Sequence, residues 1–104
     1  MKLNLNADHV TVGGHVYKIL HDYVFTERTD QKAQCDNDLN VIKLGQGYRE
    51  CEDMRKREIL LHEIMHAVDK IYGDDNLAEE QVASLGEGLT QVMRTNPELF
   101  EGEE

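Results

Sequence analysis

The chain has no tryptophan, a single proline and only two cysteines, and it is short of positive charge. One proline and eight scattered glycines leave no room for a long linker, and no internal repeat or low-complexity tract interrupts the 104 residues. A chain of that length supports a single domain, residues 1–104, with one modest core. The cysteines, Cys35 and Cys51, form no CxxC pair. That excludes the paired spacing of a structural zinc site built on thiolates, and in a reducing compartment both are expected to be free thiols. No stretch reaches the roughly 18 apolar residues of a membrane span. The segment from Met1 to Asn6 lacks the apolar run of a signal peptide. The expected location is therefore cytoplasmic, with no membrane partner.

Bases are outnumbered 11 to 21 by acids, for a formal net charge of −10. From Asp74 to Glu104 nine acids face one base, Arg94. Such a surface repels phosphate backbones, so no nucleic-acid partner is expected. The one basic cluster, Arg55-Lys56-Arg57, lies among Glu50, Glu52, Asp53 and Glu58 and reads as a solvated helix turn. With 39% apolar and 31% charged residues the composition is that of a globular protein.

The first half reads as strands. Val10-Thr11-Val12 and Val16 to Leu20 flank Gly13-Gly14, and two glycines between β-branched runs signal a tight hairpin, whose turn needs positive φ. Tyr23-Val24-Phe25 could extend the second strand. A polar, turn-rich stretch from Thr26 to Lys32 follows. Ala33-Gln34-Cys35 and Asn40 to Leu44 bracket Asp36-Asn37-Asp38 as a second hairpin, and Gly45-Gln46-Gly47 is expected to end it in a loop. The second half reads as two helices. One is predicted from Asp53, as N-cap, to Tyr72, with Gly73 as its stop. Its stripe is Leu61, Ile64, Met65, Val68, Ile71 and Tyr72. The other is predicted from Leu77 to Thr95, with Val82, Leu85, Leu89, Val92 and Met93 as its stripe; Pro97 steers Asn96 out of helix. Beyond Phe100 the tail is Glu-rich. Strands followed by helices indicate an α+β domain, with a small antiparallel-type sheet of three or four strands packed on two C-terminal helices.

His62-Glu63-Ile64-Met65-His66 is HExxH. Residues i and i+4 of a helix lie one above the other, so two imidazoles there can grip one tetrahedral metal at roughly 2.0–2.1 Å. Glu63 lies about 100° around the helix from His62. It is poorly placed as a ligand and well placed to take a proton from water that zinc has acidified. The motif is short enough to occur by chance, but its setting is not bland. Ile59, Leu60, Leu61, Ile64 and Met65 make the helix apolar on most sides, and the two histidines share the remaining face.

A third ligand is needed. The metzincin pattern HExxHxxGxxH would require glycine and histidine at positions 69 and 72, where this chain has Asp69 and Tyr72. In the gluzincin pattern a Glu on a following helix completes the site, and the candidates are Glu79 and Glu80. With the second stripe centred between Val82 and Leu85, Glu79 lies near its edge and Glu80 points to solvent, which favours Glu79. Glu79 also has a purely structural reading. Asn76-Leu77-Ala78-Glu79 has capping-box spacing, with Asn76 as N-cap and Glu79 reaching back to its amide. Gly86 would let the two helices approach closely. An oxyanion-stabilising role could fall to Tyr72, Tyr48, His9, His15 or His21, and none has diagnostic spacing. The strand from Asn40 to Leu44 could offer its edge to an extended peptide.

Leu60 to Ala67, followed by Glu79, then Glu87-Gly88-Leu89-Thr90-Gln91-Val92-Met93 and Asn96-Pro97, resembles the small phage-encoded metallopeptidase-like proteins of gluzincin type, related at a distance to the ImmA/IrrE-like peptidases. The likeness covers roughly Arg57 to Leu99. It implies a minimal zincin core, with a small twisted sheet, an active-site helix carrying HExxH and a second helix giving the ligand Glu. It also implies phage origin, host-cell cytoplasm as location, and a peptide or protein substrate. The gap from His66 to Glu79 is short compared with larger gluzincins and leaves little wall for a cleft.

The expected function is a zinc metallopeptidase, with His62, His66 and Glu79 holding Zn2+ and Glu63 as general base. The first alternative is a non-catalytic, zinc-stabilised protein-binding module of phage origin. The second is an acidic interaction protein with no metal.

Overall fold

The computed structural model describes residues 3–26 and 31–100, so residues 27–30 of the turn-rich stretch and the tail beyond Phe100 lie outside the described residues. The strands are β1 (His9–Val12), β2 (His15–Leu20), β3 (Ala33–Asp36) and β4 (Val41–Leu44). The helices are α1 (Gln46–Arg49), α2 (Asp53–Tyr72), α3 (Glu79–Thr95) and α4 (Pro97–Phe100). The chain is α+β, with the sheet in its N-terminal half packed against the two long helices of its C-terminal half.

Both expected hairpins form. Gly13 and Gly14 take φ of 56° and 86°, the left-handed values the β1–β2 turn requires, and β1 pairs antiparallel with β2. A Cβ on Gly13 would lie 2.6 Å from Ile71 Cγ2, so that turn also packs on the end of α2. In the second hairpin Asp36 Oδ1 accepts hydrogen bonds from the Asp38 and Leu39 N–H groups, and Asn40 takes φ of 56°. The hairpins join differently from an antiparallel sheet. The strand order is β1-β2-β4-β3, and β2 pairs with β4 in parallel. The sheet is therefore mixed, because the connection from β2 carries the chain across to β3 before the hairpin returns it beside β2. One further consequence corrects the expected peptide-binding edge. β4 is hydrogen-bonded on both sides, and among the described residues the free edge next to α2 belongs to β3.

The core follows from period-two alternation. Tyr17 and Ile19 on β2 and Ile42 and Leu44 on β4 are buried on one face, against Ile59, Leu60 and Ala67 of α2. Three local expectations differ. β2 stops at Leu20, so Tyr23 to Phe25 does not extend it. The Gly45-Gln46-Gly47 stretch is not all loop, since α1 forms a single helical turn there that buries Tyr48. Glu52, not Asp53, is the N-cap residue of α2, and its side chain makes no capping bond. Gly73 does end α2, though with φ of −116°; the left-handed residues after it are Asp74 and Asp75. No helix among the described residues is long and apolar enough to cross a membrane.

α3 begins at Glu79, two residues later than expected, and packs on α2 by a narrower stripe. Its buried residues are Val82, Gly86 and Thr90, while Leu85, Leu89 and Val92 are 48, 37 and 39% exposed. Small residues face α2 because the helices are close. A Cβ on Gly86 would sit 3.6 Å from His62 Cα, an ordinary contact. Gly86→Ala is therefore expected to be tolerated. Gly86→Leu overfills the seam and is expected to cost about 1–3 kcal/mol, read as a drop in melting temperature.

Candidate metal centre

His62 and His66 stand one turn apart on α2, and their Nε2 atoms are 3.2 Å apart. Glu79, the first residue of α3, reaches both. Its Oε1 is 2.6 Å from His62 Nε2 and its Oε2 is 3.0 Å from His66 Nε2. These donor atoms lie within 4.8 Å of one another, and the group could hold a metal ion. Two imidazoles and a carboxylate suit a divalent cation. Tetrahedral bonds of 2.0–2.1 Å place neighbouring donors about 3.3 Å apart. The group therefore fits an ion once the His62–Glu79 pair spreads by about 0.7 Å and the other two pairs by about 0.1–0.3 Å. Glu79, 67% exposed, and the half-buried imidazoles have the freedom to do so.

The capping alternative for Glu79 does not form. Ala78 is the N-cap residue of α3, and its N–H donates to Gln81 Oε1 at 2.8 Å, so Gln81 makes the return bond expected of Glu79. Asn76 instead donates from Nδ2 to the Gly73 carbonyl at 2.7 Å. Glu80 is exposed and does not belong to the group. The seam of Val82, Gly86 and Thr90 explains why Glu79 faces α2. Glu79 precedes Val82 by three residues and so continues the true contact stripe, which the apolar residues alone had placed too far toward Leu85.

Glu63 is not one of the three donors. It is 7% exposed, and the Cys35 backbone N–H on β3 faces its carboxyl. Burial, reinforced by the negative charge of Glu79, pushes its carboxyl from the ordinary 4.5 up to about 7; the Cys35 N–H opposes this. Cys35 itself is a free thiol pushed up to about 12, mainly by burial, so it stays protonated beside Glu63. The raised Glu63 value has a consequence for the metal-free protein. Its neutral form is favoured by folding, so that stability is fully present below pH 4.5 and lost as pH rises through about 7. The difference is on the order of 3 kcal/mol. Melting temperature in chelator is expected to fall between pH 5 and pH 8, and Glu63→Gln to flatten that fall.

A cleft of about 410 Å³ runs past His62 and Glu63, between the Gln31–Ala33 segment leading into β3 and Ala83 and Glu87 of α3. The Ala33 carbonyl, which takes the Gln31 amide at 3.2 Å, and the Cys35 N–H both point away from β4 toward this side.

The candidate oxyanion residues lie elsewhere. Tyr48 has a buried hydroxyl without a partner among the described residues, and Tyr72 is exposed beside the Gly13 turn. His9 pairs with Asp8, His21 Nε2 contacts the Ala7 carbonyl, and His15 is exposed at the start of β2. The residue overlooked in the sequence is Asp69, buried at the end of α2 and bonded to the loop that leads to Glu79. Its signal was present. An acid in the last turn of a helix opposes the helix dipole, and needs donors of its own.

Compared with family models, with curated proteins and with solved structures, the chain matches none.

Proposed function

We propose that this chain is a zinc-dependent peptidase of gluzincin type. The reading rests on one observation above the others. Two histidines of an HExxH helix and a glutamate of the next helix converge to 2.6–3.2 Å, with a buried carboxyl beside them whose ordinary acidity is suppressed.

Zinc bound at His62, His66 and Glu79 would act as a Lewis acid on the scissile carbonyl and acidify the attacking water. The chain's own residues do the rest. Glu63, buried next to His62 on α2, would take a proton from water and pass it to the departing amine. An extended peptide would lie along the outer edge of β3 in the cleft that runs past His62 and Glu63, displacing the Gln31 amide from the Ala33 carbonyl. An acidic protein of this kind acts on peptide or protein substrates and not on nucleic acid.

The test is a peptide-library cleavage assay on the zinc-loaded protein. Cleavage that stops in chelator and returns with zinc is expected. A fully zinc-loaded protein that cleaves nothing across the library would leave the metal as a staple between α2 and α3, in a protein-binding module.

A further inference from the structure

The three donors come from two helices, so the site depends on what sets α3 against α2 at its ligand-bearing end. Residues 73–78 connect the helices, and Asp69 organises the connection. Its side chain is 5% exposed. Oδ2 accepts from the Leu77 N–H at 3.0 Å and Oδ1 from the Asn76 N–H at 3.2 Å. Its backbone carbonyl accepts from the Gly73 N–H at 2.8 Å and the Asp75 N–H at 3.0 Å. The chain reverses through Asp74 and Asp75, with φ of 58° and 60°. Gly73 leaves space for the carboxylate, since a Cβ there would lie 2.7 Å from Asp69 Oδ1.

The anchored segment ends at Leu77, and Glu79 follows two residues later. Glu79 is largely exposed, and its side chain meets the two imidazoles. Apart from those imidazoles, nothing among the described residues holds its side chain, so where it meets them is set by the backbone that carries it. Asp69 lies three residues after His66 on the same helix, so one stretch of α2 carries both imidazoles and the anchor for the third donor. A site ordered in advance does not have to order its loop when the ion binds.

We propose that Asp69 is a positioning residue for the metal centre: its carboxylate fixes the loop through Asn76 and Leu77 so that Glu79 meets His62 and His66. This rests on the reading of those three residues as metal ligands. It assigns Asp69 no contact with the metal. Asparagine at 69 would keep the size but offer an N–H donor where one of two backbone N–H groups needs an acceptor, so one of the two bonds is lost.

The experiment is a competition titration of Zn2+ against a chelator of known affinity, on wild type, Asp69→Asn, Glu79→Ala, the double variant and Gly73→Ala. Far-UV circular dichroism of each metal-free protein accompanies it. Asp69→Asn is expected to weaken zinc binding roughly 10- to 100-fold. In the Glu79→Ala background the same change is expected to matter by no more than about twofold, because no third ligand remains to be positioned. Gly73→Ala, which crowds the carboxylate from the other side, is expected to weaken binding in the same direction as Asp69→Asn. Equal zinc affinity in wild type and Asp69→Asn overturns the proposal. So does an equal loss with and without Glu79, which would make Asp69 a general support of the fold. If Asp69→Asn does not fold, undiminished zinc affinity in Gly73→Ala overturns it instead. A wild-type protein that takes no zinc is a different result, and removes the metal reading itself.

Discussion

Glu63→Gln is expected to keep one zinc per chain and to lose hydrolysis, by about 10²- to 10⁴-fold. The substitution is close to isosteric, and the Gln carbonyl can still face the Cys35 N–H, so the fold and the three ligands are undisturbed. What disappears is the ability to take a proton. Turnover on any peptide found to be cleaved, measured alongside metal content, separates the possibilities. Zinc lost together with activity would place Glu63 among the ligands. Undiminished turnover would show that some other group is the base. The pH–rate profile adds a second reading of the same residue, since a bound dication favours the carboxylate and draws its pKa below the value near 7 that burial sets in the metal-free protein.

Glu79→Ala is expected to lower zinc affinity by more than the roughly 10- to 100-fold that losing a residue merely hydrogen-bonded to a ligand costs. Glu80→Ala is expected to be nearly silent. The two are adjacent in sequence but about 100° apart on α3, so they could exchange roles only if α3 turned. Such a turn would take Val82, Gly86 and Thr90 out of the seam with α2. The same comparison has a stability readout. Zinc at a thousand times its dissociation constant adds about 4 kcal/mol to folding, which for a chain of this size is roughly 15 °C or more in melting temperature. Chelation should therefore lower the melting temperature of wild type and Glu80→Ala by that order and leave Glu79→Ala nearly unmoved. A zinc-dependent shift kept in Glu79→Ala and lost in Glu80→Ala would reverse the helical phase described above.

The local architecture was readable wherever a residue's own chemistry decides it. Gly13-Gly14 announced a turn that needs positive φ, and the span of α2 from Asp53 to Tyr72 was evident from its apolar spacing. What failed depends on partners far away in sequence. Hairpin signals identify antiparallel neighbours, but nothing in β2 or β4 alone says that they lie side by side in parallel. The free edge was therefore assigned to β4 when it belongs to β3. The stripe of α3 was sought among large apolar residues, whereas a close helix pair selects small ones, Gly86 and Thr90. Glu79 was favoured all the same, because the displaced stripe still left it nearer the contact face than Glu80. The capping alternative is not resolvable from sequence either, since Asn76 and Gln81 both have side chains suited to the turn, and only the folded loop shows that Gln81 makes the bond.

The most direct test of the central claim is X-ray absorption at the zinc edge of the purified, zinc-loaded protein. The expected first coordination sphere holds two imidazole nitrogens and oxygen donors at about 2.0–2.2 Å, with the outer-ring scattering of two histidines. In Glu79→Ala any zinc that remains should keep the two imidazoles and lose the carboxylate. Sulfur scattering at about 2.3 Å, or fewer than two imidazoles in the wild-type spectrum, would contradict a site built from His62, His66 and Glu79.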